Sequence, residues 1–324
     1  MRNRTALTIL FALSLACCPR PGYCWDGVGH MLIAQIAYDR LTPAARAVVE
    51  QLSKALNNDP LTGQLDGADL PVDPINIATW PDEIKSLGAE THQYSAWHYI
   101  DLDSLPPVNF DSGADGLPAM PIANQETIAD VKSYTDDRSD VYEQILQQSS
   151  ILANRSNSIA DRARALAFVE HFVGDIHQPL HAVGRQLGGN RYPIDLTTPD
   201  RHFLNLHSFW DTAYEYRVVG GVVIVDPLYA DGSEAGPDSG WVKAWADSIV
   251  TKYLTRDRVI LSQTDPAAWA VESNELATTF AFPEDGGSSL STEYIQKAGD
   301  IARERIALAG VRLANRLNYL LTVK

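Results

Sequence analysis

Two short segments in the middle of this 324-residue chain constrain its fold more than any other feature. The first reads His171-Phe-Val-Gly-Asp175-Ile-His177-Gln-Pro-Leu-His181, and the second Asn205-Leu-His207-Ser-Phe-Trp-Asp211. In each, a His and an Asp stand four residues apart, a spacing that puts both side chains on one face of a helix. The first pair lies in or beside a run that is apolar on most sides: Ala163, Ala165, Leu166, Ala167, Phe168, Val169, Phe172 and Val173. A helix apolar all round belongs in a core. Imidazole and carboxylate in a core are costly unless they are paired or coordinate a cation. The chain must therefore fold around this helix and supply partners for its polar groups. Neutral imidazole with carboxylate is the donor set of a catalytic zinc site. Four of the eight histidines fall in these two segments, so they point to a metalloenzyme.

The rest of the chain reads as mainly helical. An apolar face runs through Ala34, Ile36, Ala37 and Leu41. Thr42-Pro43 is a helix start with Pro at the first helical position. Further helical patterns are predicted at about 137–154, 158–177, 205–215, 241–255, 266–279 and 291–322. Ile75 to Leu87 reads as a short helix broken at Trp80-Pro81. Residues 57–74 and 103–122 are rich in turn formers and read as loops. Arg191 to Leu196 suggests one small hairpin after Gly188-Gly189-Asn190. The fold class that follows is all-α: a single bundle-like domain over 25–324 with long loops, one small β-hairpin and a metal cluster in a cleft.

The first 24 residues read as a signal peptide. Arg2 and Arg4 form a positive start, and Ala6 to Ala16 is an apolar stretch of leader length. Cleavage near Trp25 is expected, and with it a secreted or periplasmic protein. Cys17, Cys18 and Cys24 all lie in this leader, so no disulfide is expected in the mature chain. The formal net charge is −15. An acidic surface excludes binding to nucleic acid through a broad basic face. It leaves open an enzyme whose bound metals supply the local positive charge.

Three further segments carry candidate ligands: Trp25-Asp-Gly-Val-Gly-His30, Trp80-Pro81-Asp82, and Trp97-His98-Tyr99-Ile100-Asp101. Together with the two central segments and Gly188-Gly189-Asn190, they make an ordered set. In that order the chain resembles the secreted, single-strand-specific zinc nucleases of the S1/P1 type, a family related to bacterial zinc phospholipase C. The resemblance covers essentially the whole chain after the leader.

It implies three zinc ions. Asp82, His98 and His171 would hold one. The free amine and carbonyl of Trp25, with His30, would hold a second, and Asp175 would bridge the two. His181, His207 and Asp211 would hold the third. A hydroxide between the paired metals would attack phosphorus, leaving a 3′-hydroxyl and a 5′-phosphate. Lys85, one turn after Asp82, would neutralise phosphate charge. Tyr99 would stack on a base and Asp101 hydrogen-bond it, with Gly188, Gly189 and Asn190 as the other wall of the pocket. Stacking suits unpaired bases, so the implied substrates are single-stranded DNA and RNA, and 3′-nucleotides. A monomer without stable membrane association is expected.

Taken singly, these residues have plainer readings. His171 alone would be a satisfied core histidine, Asp82 a helix cap, and His30 an ordinary residue near a helix start. Lys85 and Asp101 could be a surface ion-pair residue and a turn residue, Tyr99 a core residue, and Gly188-Gly189 a turn. His177 reads as a residue that orients ligands, and His92 and His202 as surface positions. Trp80, Trp97 and Trp210 read as packing residues. Two other functions fit the metal chemistry: a zinc phospholipase C, and a secreted zinc-binding protein without turnover.

Overall fold

A computed structural model describes residues 25–65, 73–88, 91–113, 117–134, 139–230, 240–254, 262–283 and 286–322. The leader assignment to residues 1–24 and its three cysteines lie outside the described residues.

The architecture is helical. In chain order the helices are α1 (Gly27–Tyr38), α2 (Pro43–Leu56), α3 (Trp80–Ile84), α4 (Gln125–Ser133), α5 (Val141–Ala153), α6 (Ile159–Asp175), α7 (Leu206–Trp210), α8 (Trp241–Tyr253), α9 (Pro266–Leu276) and α10 (Thr292–Thr322). Short 3-10 turns link several of them. Among the described residues there are three antiparallel hairpins: β1 (Asn109–Phe110) with β2 (Pro121–Ile122), β3 (Pro193–Thr197) with β4 (His202–Asn205), and β5 (Tyr216–Val219) with β6 (Val222–Val225). The expected hairpin is the β3–β4 pair, and the other two were not expected.

Local chemistry sets the helix ends. Thr42 caps α2 by accepting from the Ala45 N–H, and Pro43 occupies the first turn. Asn124 and Thr127 form a reciprocal capping box on α4, a helix the apolar pattern alone does not disclose. Ser158 caps α6, and Pro179 follows its last turn. Trp80-Pro81 does not break a helix, as the sequence suggested. It opens α3, where the missing Pro81 N–H has no intrahelical partner to lose.

Helix α6 is buried from Ala165 to Asp175 and is the central element. Helices α1, α2, α5 and α10 pack against it. Gly174 permits the closest approach of α1, since a Cβ there would stand 2.9 Å from His30 Nδ1. Helix α9 is also buried along its length. No helix among the described residues is long and apolar enough to cross a membrane.

Candidate metal centre

The side chains of interest converge at the C-terminal end of α6. His171 and Asp175 share one face of that helix, as their spacing requires. Across Gly174, the His30 ring of α1 stacks on His171 with centroids 3.8 Å apart. His30 Nε2 lies 3.5 Å from Asp175 Oδ1, and His171 Nε2 lies 3.2 Å from Asp175 Oδ2. One carboxylate thus offers a separate oxygen to each of two imidazoles. On the other side of His171, Asp82 Oδ1 is 3.5 Å from His171 Nε2 and 3.4 Å from His98 Nε2. His207 Nε2 and Asp211 Oδ1 are 3.6 Å apart, on α7 and its C-cap. A tetrahedral metal with bonds of about 2.0–2.1 Å sets its donors about 3.3–3.4 Å apart. These separations are close to that edge length.

Three groups therefore have donor atoms close enough to hold an ion: His30, His171 and Asp175; Asp82, His98 and His171; and His181, His207 and Asp211. They contain every side-chain ligand expected from the sequence. Trp25 is buried beside the cluster. Its indole N–H donates to the Gly174 carbonyl at 3.0 Å, and its ring lies edge-on to Tyr214. The next residue, Asp26, donates its N–H to the Asp211 carbonyl and accepts from Gly29 N–H and the Tyr214 hydroxyl. The start of α1 is thereby tied to both ends of the cluster.

Backbone carbonyls orient the rings. His98 Nδ1 faces Tyr94 O at 2.7 Å, His171 Nδ1 faces Ala78 O at 2.7 Å, and His181 Nδ1 faces His98 O at 2.9 Å. His207 Nδ1 faces Gly188 O at 2.6 Å. Donation from Nδ1–H leaves Nε2 as the donor atom for a metal. Several atoms left facing inward have no hydrogen-bond partner despite full burial: His98 Nε2, His171 Nε2, both nitrogens of His30 and both oxygens of Asp175. Such a concentration of unsatisfied atoms on one point calls for a cation. The residues fit one.

Electrostatics divides the cluster. Burial works against a charge on His171, but Asp175 and Asp82 outweigh it and carry the ring up to about 10. Asp175 and Asp82 are conversely held well below the ordinary carboxylate range. Burial opposes this, and His171, with Lys85 beside Asp82, overcomes it. The third group behaves differently. Burial, reinforced by His181, pushes His207 down to about 3, and burial drives Asp211 well upward. Burial thus works against charge on all three side chains of the third group, whereas in the first part the opposite charges of His171 and its two carboxylates hold one another.

The remaining predicted residues fall around this centre. Lys85 Nζ is 2.5 Å from Asp82 Oδ1. Tyr99 and Asp101 are half-buried on the segment after His98. That segment pairs with the His181 turn: Ile100 N–H donates to His181 O, and Gly184 N–H to Leu102 O. Gly188 and Gly189 have positive φ, continuing Gln186 and Leu187, which also do. A Cβ on Gly188 would stand 2.6 Å from Leu180 O, so glycine lets its carbonyl reach His207. The Asn190 amide is exposed and donates to Leu187 O. His92 and His202 are exposed, the latter against Asp195. Trp80 and Trp210 are buried and Trp97 half-buried, in packing roles.

Two findings go beyond the sequence reading. Gln178 is buried, donates to Asp211 Oδ1 at 2.8 Å and accepts from Leu180 N–H. It sits inside the central motif, but nothing in its spacing reveals the bond. His177 does not orient a ligand side chain, contrary to expectation. Its Nδ1 faces Val173 O and its Nε2 faces Arg312 Nη1, inside a buried group with Glu272.

A helical fold that gathers three adjoining histidine–carboxylate groups has three places that could hold a metal ion. Comparison with known proteins makes this specific. The family profile described as S1/P1 Nuclease matches residues 25–322. Nuclease S1 of Aspergillus oryzae is 30% identical over 308 residues, covering 90% of each chain. Nuclease PA3 of a Penicillium species is 28% identical over 306 residues, covering 91% of this chain and 97% of its own. Nuclease P1 of Penicillium citrinum is 27% identical, with the same coverage. The chain belongs to the S1/P1 nuclease family.

Proposed function

We propose that this protein is a zinc-dependent endonuclease that hydrolyses single-stranded DNA and RNA to 5′-phosphorylated products and acts on 3′-nucleotides as a 3′-nucleotidase. The observation that carries the reading is the buried convergence of three His/Asp groups in a nuclease-family fold. Imidazole and carboxylate donors at tetrahedral spacing favour zinc. Asp82, His98 and His171 would hold one ion, Trp25 through its amine and carbonyl with His30 a second, and His181, His207 and Asp211 a third. Bound zinc would supply Lewis acidity, which brings the ionisation of water near neutrality and offsets phosphate charge.

The chain's own groups do the rest. Asp175 presents one oxygen to each side of the His30/His171 pair and so fixes their common separation. Lys85 brings a positive charge to the Asp82 edge, where a phosphate can share it. Tyr99 and Asp101 follow His98 directly, so a base held there would be in register with the cluster. An aromatic face accepts any unpaired base, which supports single-strand preference without a sequence code. Cleavage of the leader before Trp25 would free the amine, and the protein would then be secreted or periplasmic and act as a monomer.

The test is hydrolysis of single-stranded DNA, RNA, duplex DNA and phosphatidylcholine by purified protein, with chelator and with zinc restored. Cleavage of the single strands with 5′-phosphate ends, lost with chelator and regained with zinc, is expected. Hydrolysis of phosphatidylcholine alone would transfer the reading to a phospholipase C. No hydrolysis of any substrate by zinc-loaded protein would leave a binding protein. One additional residue before Trp25 should lower the zinc content.

A further inference from the structure

Helix α9 is buried throughout, yet four consecutive residues in it are polar: Glu272, Ser273, Asn274 and Glu275. The first three reach out of the helix toward the frame of the metal centre. Glu272 accepts from Arg305 and Arg312 of α10, and Arg305 Nε in turn donates to His177 O. Ser273 Oγ donates to Ile176 O at 2.6 Å. These contacts satisfy carbonyls at the C-terminal end of α6, just beyond Asp175.

Asn274 does something different. Its Nδ2 donates to Ala182 O at 2.8 Å and to Asp103 O at 3.1 Å, and its Oδ1 accepts from Leu105 N–H at 3.2 Å. A single side chain thus joins the residue after His181 to the segment that follows Tyr99 and Asp101. Those two segments already touch through Ile100 N–H to His181 O at 2.8 Å and Gly184 N–H to Leu102 O at 3.0 Å. Two backbone bonds hold the strips in register only while both stay closed. An amide bonded to both strips from a third, buried element holds that register against their opening.

We propose that Asn274 is a positioning residue for substrate recognition, setting where residues 99–102 stand relative to the metal-ligand turn at His181. The inference rests on the reading of Tyr99 and Asp101 as base contacts. It has a selective consequence. The metal ligands keep their own carbonyl partners when Asn274 is altered, so chemistry on a phosphodiester that carries no base is retained. Recognition of a base is lost through a displacement of residues 99–102 that the amide prevents.

The experiment compares the zinc-loaded parent with Asn274→Ala and Asn274→Asp. The second variant keeps the size and the acceptor for Leu105 N–H but turns an oxygen toward the Ala182 and Asp103 carbonyls, and the thermal midpoint separates lost folding from lost recognition in both variants. Zinc content, thermal midpoint, and kcat and KM are measured for a single-stranded oligodeoxynucleotide and for bis(p-nitrophenyl) phosphate. The expected result is a roughly ten- to hundredfold fall in kcat/KM for the oligonucleotide relative to the base-free ester, mostly in KM, at unchanged zinc content. Variants that keep the parent's preference overturn the inference alone. Variants that lose both activities in proportion, together with zinc, also overturn it. A parent with no preference for the oligonucleotide overturns the reading of Tyr99 and Asp101, and the inference with it.

Discussion

Replacing Gly188 by Ala tests how the third His/Asp group is held. The residue has φ of 58°, and its carbonyl accepts from His207 Nδ1 at 2.6 Å. An L-residue in this conformation costs about 1–2 kcal/mol. The new Cβ would also meet Leu180 O at 2.6 Å, against an ordinary contact of 3.4 Å or more. Neither backbone can yield cheaply, so overpacking adds about 1–3 kcal/mol. Relief requires the Gly188 turn to shift by about 0.8 Å, far enough to rotate or release the His207 ring. Loss of such an orienting partner weakens metal binding about 10- to 100-fold. Urea unfolding of the metal-free protein should therefore show a loss of about 2–5 kcal/mol. Chelator competition on the loaded protein should release one class of zinc earlier. Gly221→Ala is the control. It also has positive φ, 79°, but nothing lies within 4 Å of its Cβ position. It should show only the backbone cost of about 1–2 kcal/mol and normal zinc retention. If Gly188→Ala retained zinc as the parent does, the carbonyl would not be what holds His207.

Other outcomes follow from the same geometry. Gln178→Ala removes the donor to Asp211 Oδ1 and should weaken zinc retention about 10- to 100-fold in chelator competition, whereas unchanged retention would reduce Gln178 to packing. His171→Ala removes the ring shared by two groups and should lower the zinc-to-protein ratio by more than His207→Ala, which touches one. Equal losses, by elemental analysis, would refute the shared role. Glu170 is buried, and burial, with Asp73 nearby, raises its carboxyl well above the ordinary value. The native fold then carries a penalty absent below the unfolded value of about 4.3 and growing as pH rises toward the folded value. Glu170→Gln should therefore gain stability over the parent at pH 7.5 relative to pH 4. An identical difference at both pH values in urea titrations would reject this.

Much of the site was legible because it is local. The His171/Asp175 and His207/Asp211 pairs follow from helical spacing, and the apolar run from Ala163 to Val173 marks α6 as the buried element. The helix start at Thr42-Pro43 was visible, and the Ser158 cap of α6 was not read. What escaped is non-local or carried by backbone. The carbonyls of Ala78, Tyr94 and Gly188 that orient the rings carry no side-chain signature. His177 looked like part of the ligand set because it stands among ligands, but its partner Arg312 is 135 residues away. Helix α4 is short and weakly patterned, and only its capping box betrays it. The β5–β6 hairpin had a readable turn at Gly220-Gly221, flanked by valines, that the helical pattern overshadowed.

The route of the chain through the centre has a kinetic meaning. The first described residue, Trp25, bonds to Gly174, and Arg312 near the other end bonds to His177. Contacts of such high sequence separation close late, because each must first overcome loop-closure entropy. No contiguous stretch of the chain can assemble the full set of donors on its own. The isolated His/Asp pairs can meet metal early, but the shared carboxylate and the stacked His30/His171 rings exist only once both halves have joined. Metal held by His30, His171 and Asp175 would therefore report completion of the whole fold, whereas His181, His207 and Asp211 lie within one stretch of chain and can gather before it.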